Sequence, residues 1–412
     1  MGRCRADIVS TSKDRRDCPA AGKQIAAVEC AESRHSRYAC PEDCPHNTFS
    51  PSNYNRLLEV ADKSDRLMFE RFGTQPAIAA QIGRELRSLQ ETGRQDRAGM
   101  LIMDWFHFRP DAEGLSFFER WEKQGFPGLR NDQRVFLQRR AGLRPSLIEV
   151  LQIVDAEQMI AVDLLEPEAG EFLLLDRSLA SRAPRFSTWL VWSYDLPHCR
   201  LLHGAMFEVD PIHDLGPAEV LEILLDHLGC PRSAAERRRW MLEGFLRVEE
   251  SMDAAIQLRR RIGMESMDTR LRESMLRNLP PLDPDLRAKV PPRLLENPPI
   301  LSTESVRVGK GMVDATALKR DVRMDLLRAW MNEPVPALRG QTPREAAVDL
   351  ELRPRLVQLV KDRVRDFDRM NLNAGTTGDM NWALRDLGLD EWIYPPPPPR
   401  PRPVQRDDPE DN

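Results

Sequence analysis

The chain has 412 residues, 41% of them hydrophobic, 30% charged and 6% aromatic, with a formal net charge of −5. That length accommodates roughly two to four domains with ample core. The slightly acidic balance excludes a global basic field that would recruit nucleic acid or acidic membranes. No apolar run approaches the ~20 residues of a membrane-spanning helix. The opening MGRCRADIVSTSKDRRDC also lacks the hydrophobic stretch of a secretory signal, so a cytoplasmic protein with no membrane partner is expected.

In chain order, residues 1–52 hold five of the seven cysteines: Cys4, Cys18, Cys30, Cys40 and Cys44. Residues 53–144 read as helical, with Leu57, Leu58, Ala61, Leu67, Met68 and Phe72 near the 3.6-residue period, and Ile78, Ile82, Leu86 and Leu89 on a second helix. A third helix is expected through MLIMDWFHF. At Pro145 the pattern becomes short, apolar and partly alternating: SLIEVLQIV, QMIAVDLL, EFLLLD, STWLVWSYDL and CRLLHGAMFEV. Five short strands with no long helix between them predict a small antiparallel β-barrel or sheet over 145–215. Helical periodicity returns over 216–279. Seven prolines make 280–300 a linker, 301–392 forms a C-terminal helical module, and 393–412 is a Pro-rich, disordered tail. The fold class expected is α+β and multidomain.

The cysteine segment reads CPAAGKQIAAVECAESRHSRYACPEDCPHN. Clustered thiols without a signal peptide suit metal ligands in a reducing compartment. Cys18, Cys30, Cys40 and Cys44 would fill the tetrahedral shell of a structural Zn2+, with His35 and His46 as substitutes. Buried or surface thiols of a loose N-terminus and an iron–sulfur cluster are the other readings. A closed four-thiolate site would stand in for the core that so short a segment cannot build.

His198, Cys199, His203, Asp210, His213 and Asp214 fall within 17 residues and raise a second possibility, a metal-dependent hydrolase using His198, His203, His213 and Asp214. The spacing is not HExxH, and polar turn residues with one half-buried histidine account for the same pattern. Phe186, Trp189, Trp192 and Tyr194 could form a stacking platform for nucleic acid on the barrel, although alternation assigns at least two of the four to the core.

In the C-terminal module, Leu326, Leu327, Trp330 and Met331 give a first helix its apolar stripe. Thr342, Pro343 and Glu345 then form a capping box with proline at the first helical position. Leu352, Leu356, Leu359, Val360, Val364 and Phe367 stripe the next helix. Trp330, Leu338 and Leu356 are expected to pack as a small core of its own. The run W-M-x-x-P-x-P-A-L-x-G-x-T-P-x-E over 330–345 resembles the C-terminal domain of Xre/MbcA/ParS-type antitoxins, a helical protein-binding module. It also resembles the ends of larger bacterial multidomain proteins that carry an N-terminal zinc segment. The resemblance implies partner binding through Trp330, Pro334, Leu338, Gly340, Thr342 and Pro343. No helix-turn-helix precedes the module. The expected function is a non-enzymatic zinc-containing adaptor whose main partner is a protein, with nucleic acid or a ribosome as further candidates. A hydrolase and an antitoxin-like transcriptional regulator are the alternatives.

Overall fold

The computed structural model describes residues 15–73, 75–91, 113–209, 211, 216–227, 229–233, 236, 237, 240 and 328–400. The expected helix through MLIMDWFHF, the 280–300 linker, Leu326, Leu327 and residues 401–412 lie outside them. The chain divides into two compact units. One takes the described residues up to 145 with 173–175 and 192–205. The other takes 146–172, 176–191 and the described residues from 206 onward.

The first unit opens on a hairpin of β1 (Arg15–Cys18) and β2 (Lys23–Ala26), followed by α1 (Ala27–Ser33). Gly22 takes φ +62° in the turn, a conformation that L side chains rarely adopt. Then come α2 (Tyr54–Met68), α3 (Pro76–Glu91), α4 (Phe117–Lys123) and α5 (Asn131–Arg140). Ser116 and Glu119 form a reciprocal capping box at the start of α4. Arg34 is the buried hub. Its guanidinium donates to Thr48 Oγ1 at 2.6 Å and pairs with Asp132, while its carbonyl accepts from Asn131 Nδ2 at 2.7 Å. A buried charge needs such a partner set to offset its lost hydration.

Five strands follow at the five expected places: β3 (Arg144–Ile153), β4 (Gln158–Asp163), β5 (Glu171–Leu175), β6 (Thr188–Asp195) and β7 (Arg200–Glu208). They close into a barrel in the order β3-β4-β5-β7-β6. β3 and β4 are antiparallel, but β5 pairs with β7 in parallel, Leu174 opposite Arg200. The expectation of a wholly antiparallel sheet is therefore corrected to a mixed barrel. The short helix α6 (Arg177–Arg182) lies between β5 and β6 in sequence and provides the crossover that a parallel neighbour requires. A closed five-stranded barrel of this order, with its helix between the third and fourth strands, has the topology of the OB-fold.

α7 (Pro217–His227) follows the barrel. The C-terminal part then holds α8 (Pro343–Val348), α9 (Arg353–Ala374) and α10 (Asn381–Asp386). The capping box is in place: Thr342 Oγ1 accepts from the Glu345 N–H at 3.2 Å, and Glu345 Oε2 accepts from the Thr342 N–H at 2.8 Å. Thr342→Ala should cost about 0.5–2 kcal/mol in urea unfolding. A loss under a few tenths would show that α8 holds without its cap.

The module's core is not the small separate one expected. Met331, Leu338, Leu356, Val360, Phe367, Met380 and Leu384 form one cluster with Leu151 and Phe186, and Ile160 and Val162 of β4 pack against it. Along β4 the pattern explains this. Met159 and Ala161 are buried, whereas Ile160 and Val162 occupy the alternate positions and meet the helices. Trp330 is only partly buried at the cluster's edge, with the Arg363 guanidinium 5.5 Å from its ring centroid. Residues 393–400, expected to be disordered, are packed. Ile393 and Tyr394 join the cluster, Tyr394 OH donates to Glu171 at 2.7 Å, and Arg400 donates to the carbonyls of Ala180 and Ala183.

Candidate functional site

The expected zinc ligands Cys18, Cys30, Cys40 and Cys44 are all buried and none is in a disulfide. Cys18 ends β1 and Cys30 lies on α1, and the two pack with Ile25 against Ala21 and Tyr38. Cys40 and Cys44 flank a turn in which the Cys44 N–H reaches the Pro41 carbonyl at 3.3 Å. Burial pushes the Cys40 thiol above its ordinary pKa, the His35 backbone N–H acts the other way, and Cys44 and Cys30 add to the rise. A thiol raised by burial gives up its proton less readily, which by itself works against the thiolate that a metal needs. Among the described residues, no three His, Cys, Asp or Glu side chains converge as a metal-ion group.

Of the substitute ligands, His35 sits at φ +52° with its Nε2 on Asn47 Oδ1 at 2.8 Å. Asn47 Oδ1 also accepts from the Phe49 N–H, so the histidine is the donor. Burial holds His35 below the usual imidazole range, and the neighbouring His198 and Arg34 act in the same direction. Burial lowers His46 as well, helped by Arg16, Arg34 and Arg56.

The histidine cluster does not assemble in its described half. His198 Nε2 donates to the Cys40 carbonyl at 2.8 Å, while His203 Nδ1 accepts from Arg140 Nη2 at 3.0 Å. Each ring thus has a nitrogen committed to a different partner, and neither of those nitrogens offers a free lone pair to a metal. Asp210, His213 and Asp214 lie outside the described residues. Cys199 is buried, with its thiol pushed up to about 12 by desolvation, and Glu42 and Asp195 add to the rise. A thiol so shifted is no nucleophile at neutral pH.

The proposed stacking platform is corrected. Phe186, Trp189, Trp192 and Tyr194 are 1%, 6%, 4% and 4% exposed, so no base could lie on them. β6 is buried on both faces from Thr188 to Tyr194, which removes the alternation on which an exposed platform depends. OB-type barrels bind ligands across their second and third strands, here β4 and β5. In this chain, residues of the same unit occupy that side: Ile160 and Val162 meet the helical cluster, and Glu171 meets Tyr394.

The 330–345 motif separates into two kinds of residue. Leu338 and Pro343 are buried, and Trp330 and Thr342 are half-buried, so all four hold the module together; Pro334 and Gly340 are exposed. Sequence reasoning passed over the turn that follows. Val348 and Leu350 are 85% and 87% exposed. Between them, Asp349 accepts from the Glu351 and Leu352 N–H groups and from Gln341 Nε2 at 3.2 Å. Those bonds hold the Asp349 carboxyl below the usual carboxylate range. The sequence V-D-L-E at a helix end carried the signal, two apolar residues alternating with acids where a turn must lie. No family model, curated protein or solved structure matches the chain. Among the described residues, no helix is long and apolar enough to cross a membrane.

Proposed function

We propose that the protein is a non-enzymatic cytoplasmic adaptor that holds another protein through its C-terminal module, with a structural zinc ion in its N-terminal segment. The observation that carries the adaptor reading is the exposure of Val348 and Leu350 on the Asp349-braced turn. Apolar side chains on a rigid turn lose little conformational freedom on docking. Burying them yields about 1.5–3 kcal/mol each. The likeness of residues 330–345 to antitoxin-type binding domains points to the same end of the chain.

The test is co-purification from the native host with Val348→Ser, Leu350→Ser. The double variant should keep its melting temperature, since surface changes of this kind move stability by about 0.5 kcal/mol or less. It should also lose the protein that the unaltered chain retains. Equal recovery by both chains, or recovery of nothing by either, overturns the reading.

The zinc reading is supported by four buried thiols outside any disulfide, two of which, Cys18 and Cys30, pack with Ile25 and have Ala21 and Tyr38 beside them. Thiolate sulfur suits borderline-soft Zn2+. Elemental analysis should find about one zinc per chain in the unaltered protein and none in Cys40→Ser, Cys44→Ser. Unchanged zinc content in that variant rejects the assignment.

A further inference from the structure

Residues 395–399 are five consecutive prolines followed by Arg400. A proline ring fixes φ near −65°, and each residue before a proline is pushed into the extended region, so this run is a polyproline II helix with three residues per turn. Pro395, Pro396 and Pro399 are exposed, whereas Pro397, Pro398 and Arg400 are partly buried, so Pro396 and Pro399, one turn apart, are both open to solvent. A polyproline II helix is a three-edged prism, and one edge faces the protein while the 396/399 edge faces solvent. Pro397, Pro398, Pro399 and Arg400 line a cavity together with Asp368, Asn371 and the 375–378 loop.

Both ends of the run are tied down. At one end the Tyr394 carbonyl accepts from Arg185 Nη1 at 2.7 Å and from Asn381 Nδ2 at 2.9 Å. At the other, Arg400 Nη1 donates to the Ala180 and Ala183 carbonyls at 2.8 and 2.7 Å, capping the C-terminal end of α6, where a cation is favoured. Arg400 itself is pulled below the usual guanidinium range by burial, with Asp368 opposing.

We propose that this strap is a preformed docking ligand, presenting Pro396 and Pro399 as a P-x-x-P edge to a partner domain whose groove is lined by aromatic side chains. Such grooves grip proline pairs spaced by one polyproline turn, and binding strengthens when the helix is already formed. The surface is distinct from the Val348/Leu350 turn and stands whether or not that turn binds anything.

The experiment is calorimetric titration of the full chain with three purified probes: an SH3, a WW and an EVH1 domain. At least one should bind the unaltered chain, and Pro396→Ala, Pro399→Ala should weaken that binding at least tenfold. Val348→Ser, Leu350→Ser should leave it unchanged, which separates this proposal from the adaptor reading. A free PPPPPR peptide should compete for the bound domain, a reading that needs no variant to fold. Binding by none of the three, equal binding by the proline variant, or failure of the peptide to compete overturns the proposal.

Discussion

Arg185→Ala should destabilise the second unit by about 3–5 kcal/mol, the cost typical of leaving a buried charge without its partner. Arg185 and Asp368 side chains are both 0% exposed. Arg185 Nε and Nη2 donate to the two Asp368 oxygens at 2.7 and 3.0 Å, and the Arg185 backbone N–H reaches the same carboxylate at 3.2 Å. Nη1 serves Asn381 Oδ1 and the Tyr394 carbonyl. One side chain from the connection between α6 and β6 thereby ties together α9, α10 and the start of the proline strap. Removal of the guanidinium leaves the Asp368 carboxylate with its hydration already lost and its fork of donors gone. Asp368→Ala should cost a similar amount. Arg185→Met combined with Asp368→Leu should recover much of either loss, because replacing both partners with apolar groups removes the desolvation cost along with the attraction. Urea unfolding followed by tryptophan fluorescence measures all three variants against the unaltered chain. Single variants within about 1 kcal/mol of the unaltered chain would show that water reaches the site and solvates the orphan.

The parts of this fold that were legible in the sequence are those written in local pattern. Gln158–Asp163 alternates buried and half-buried residue by residue, and Thr342, Pro343 and Glu345 spell out a helix start that the structure contains. What failed depends on distant residues. The parallel pairing of β5 with β7 brings Leu174 beside Arg200, and nothing near either residue encodes it. β6 reads as a one-faced strand until its second face is also found buried. Arg185 lies 183 positions from Asp368, so no spacing rule joins them; the only local hint is a cation inside SRAPRFSTWLV. The proline run has the composition of a disordered tail, yet Ile393, Tyr394 and Arg400 at its ends anchor it, and composition averages over such anchors. The cysteine spacing reads as a zinc-ligand set and leaves open whether the thiols are buried; their burial, and their packing beside Arg34, Ile25 and Tyr38, depend on contacts that spacing does not encode.

Phe367→Ala should have the second large effect and decide whether the helices at the C-terminus fold apart from the strands. Phe367 is 2% exposed on α9, and its ring lies so close to Gly378 that a Cβ there would stand 2.8 Å from Cε1. Truncation removes the packed ring and leaves a cavity that α9, held on several sides, cannot close, at about 3–5 kcal/mol. The same cluster contains Leu151 and Phe186. Lys361, beside it on α9, donates to Glu149 of β3 at 2.7 Å with its ammonium 3.6 Å from the Trp392 ring centroid. Loss of the helical side therefore strips partners from Glu149, Leu151, Ile160 and Val162 at once, so helix and strand signals should fall together in one transition at lower urea. Trp330→Ala should cost less, because Trp330 sits at the cluster's edge and keeps part of its ring in water. A Phe367→Ala chain whose helical signal melts while the strand signal persists would show that the helices are a separable cap. Arg185, Lys361 and Tyr394 would then be contacts that the strands can lose without unfolding.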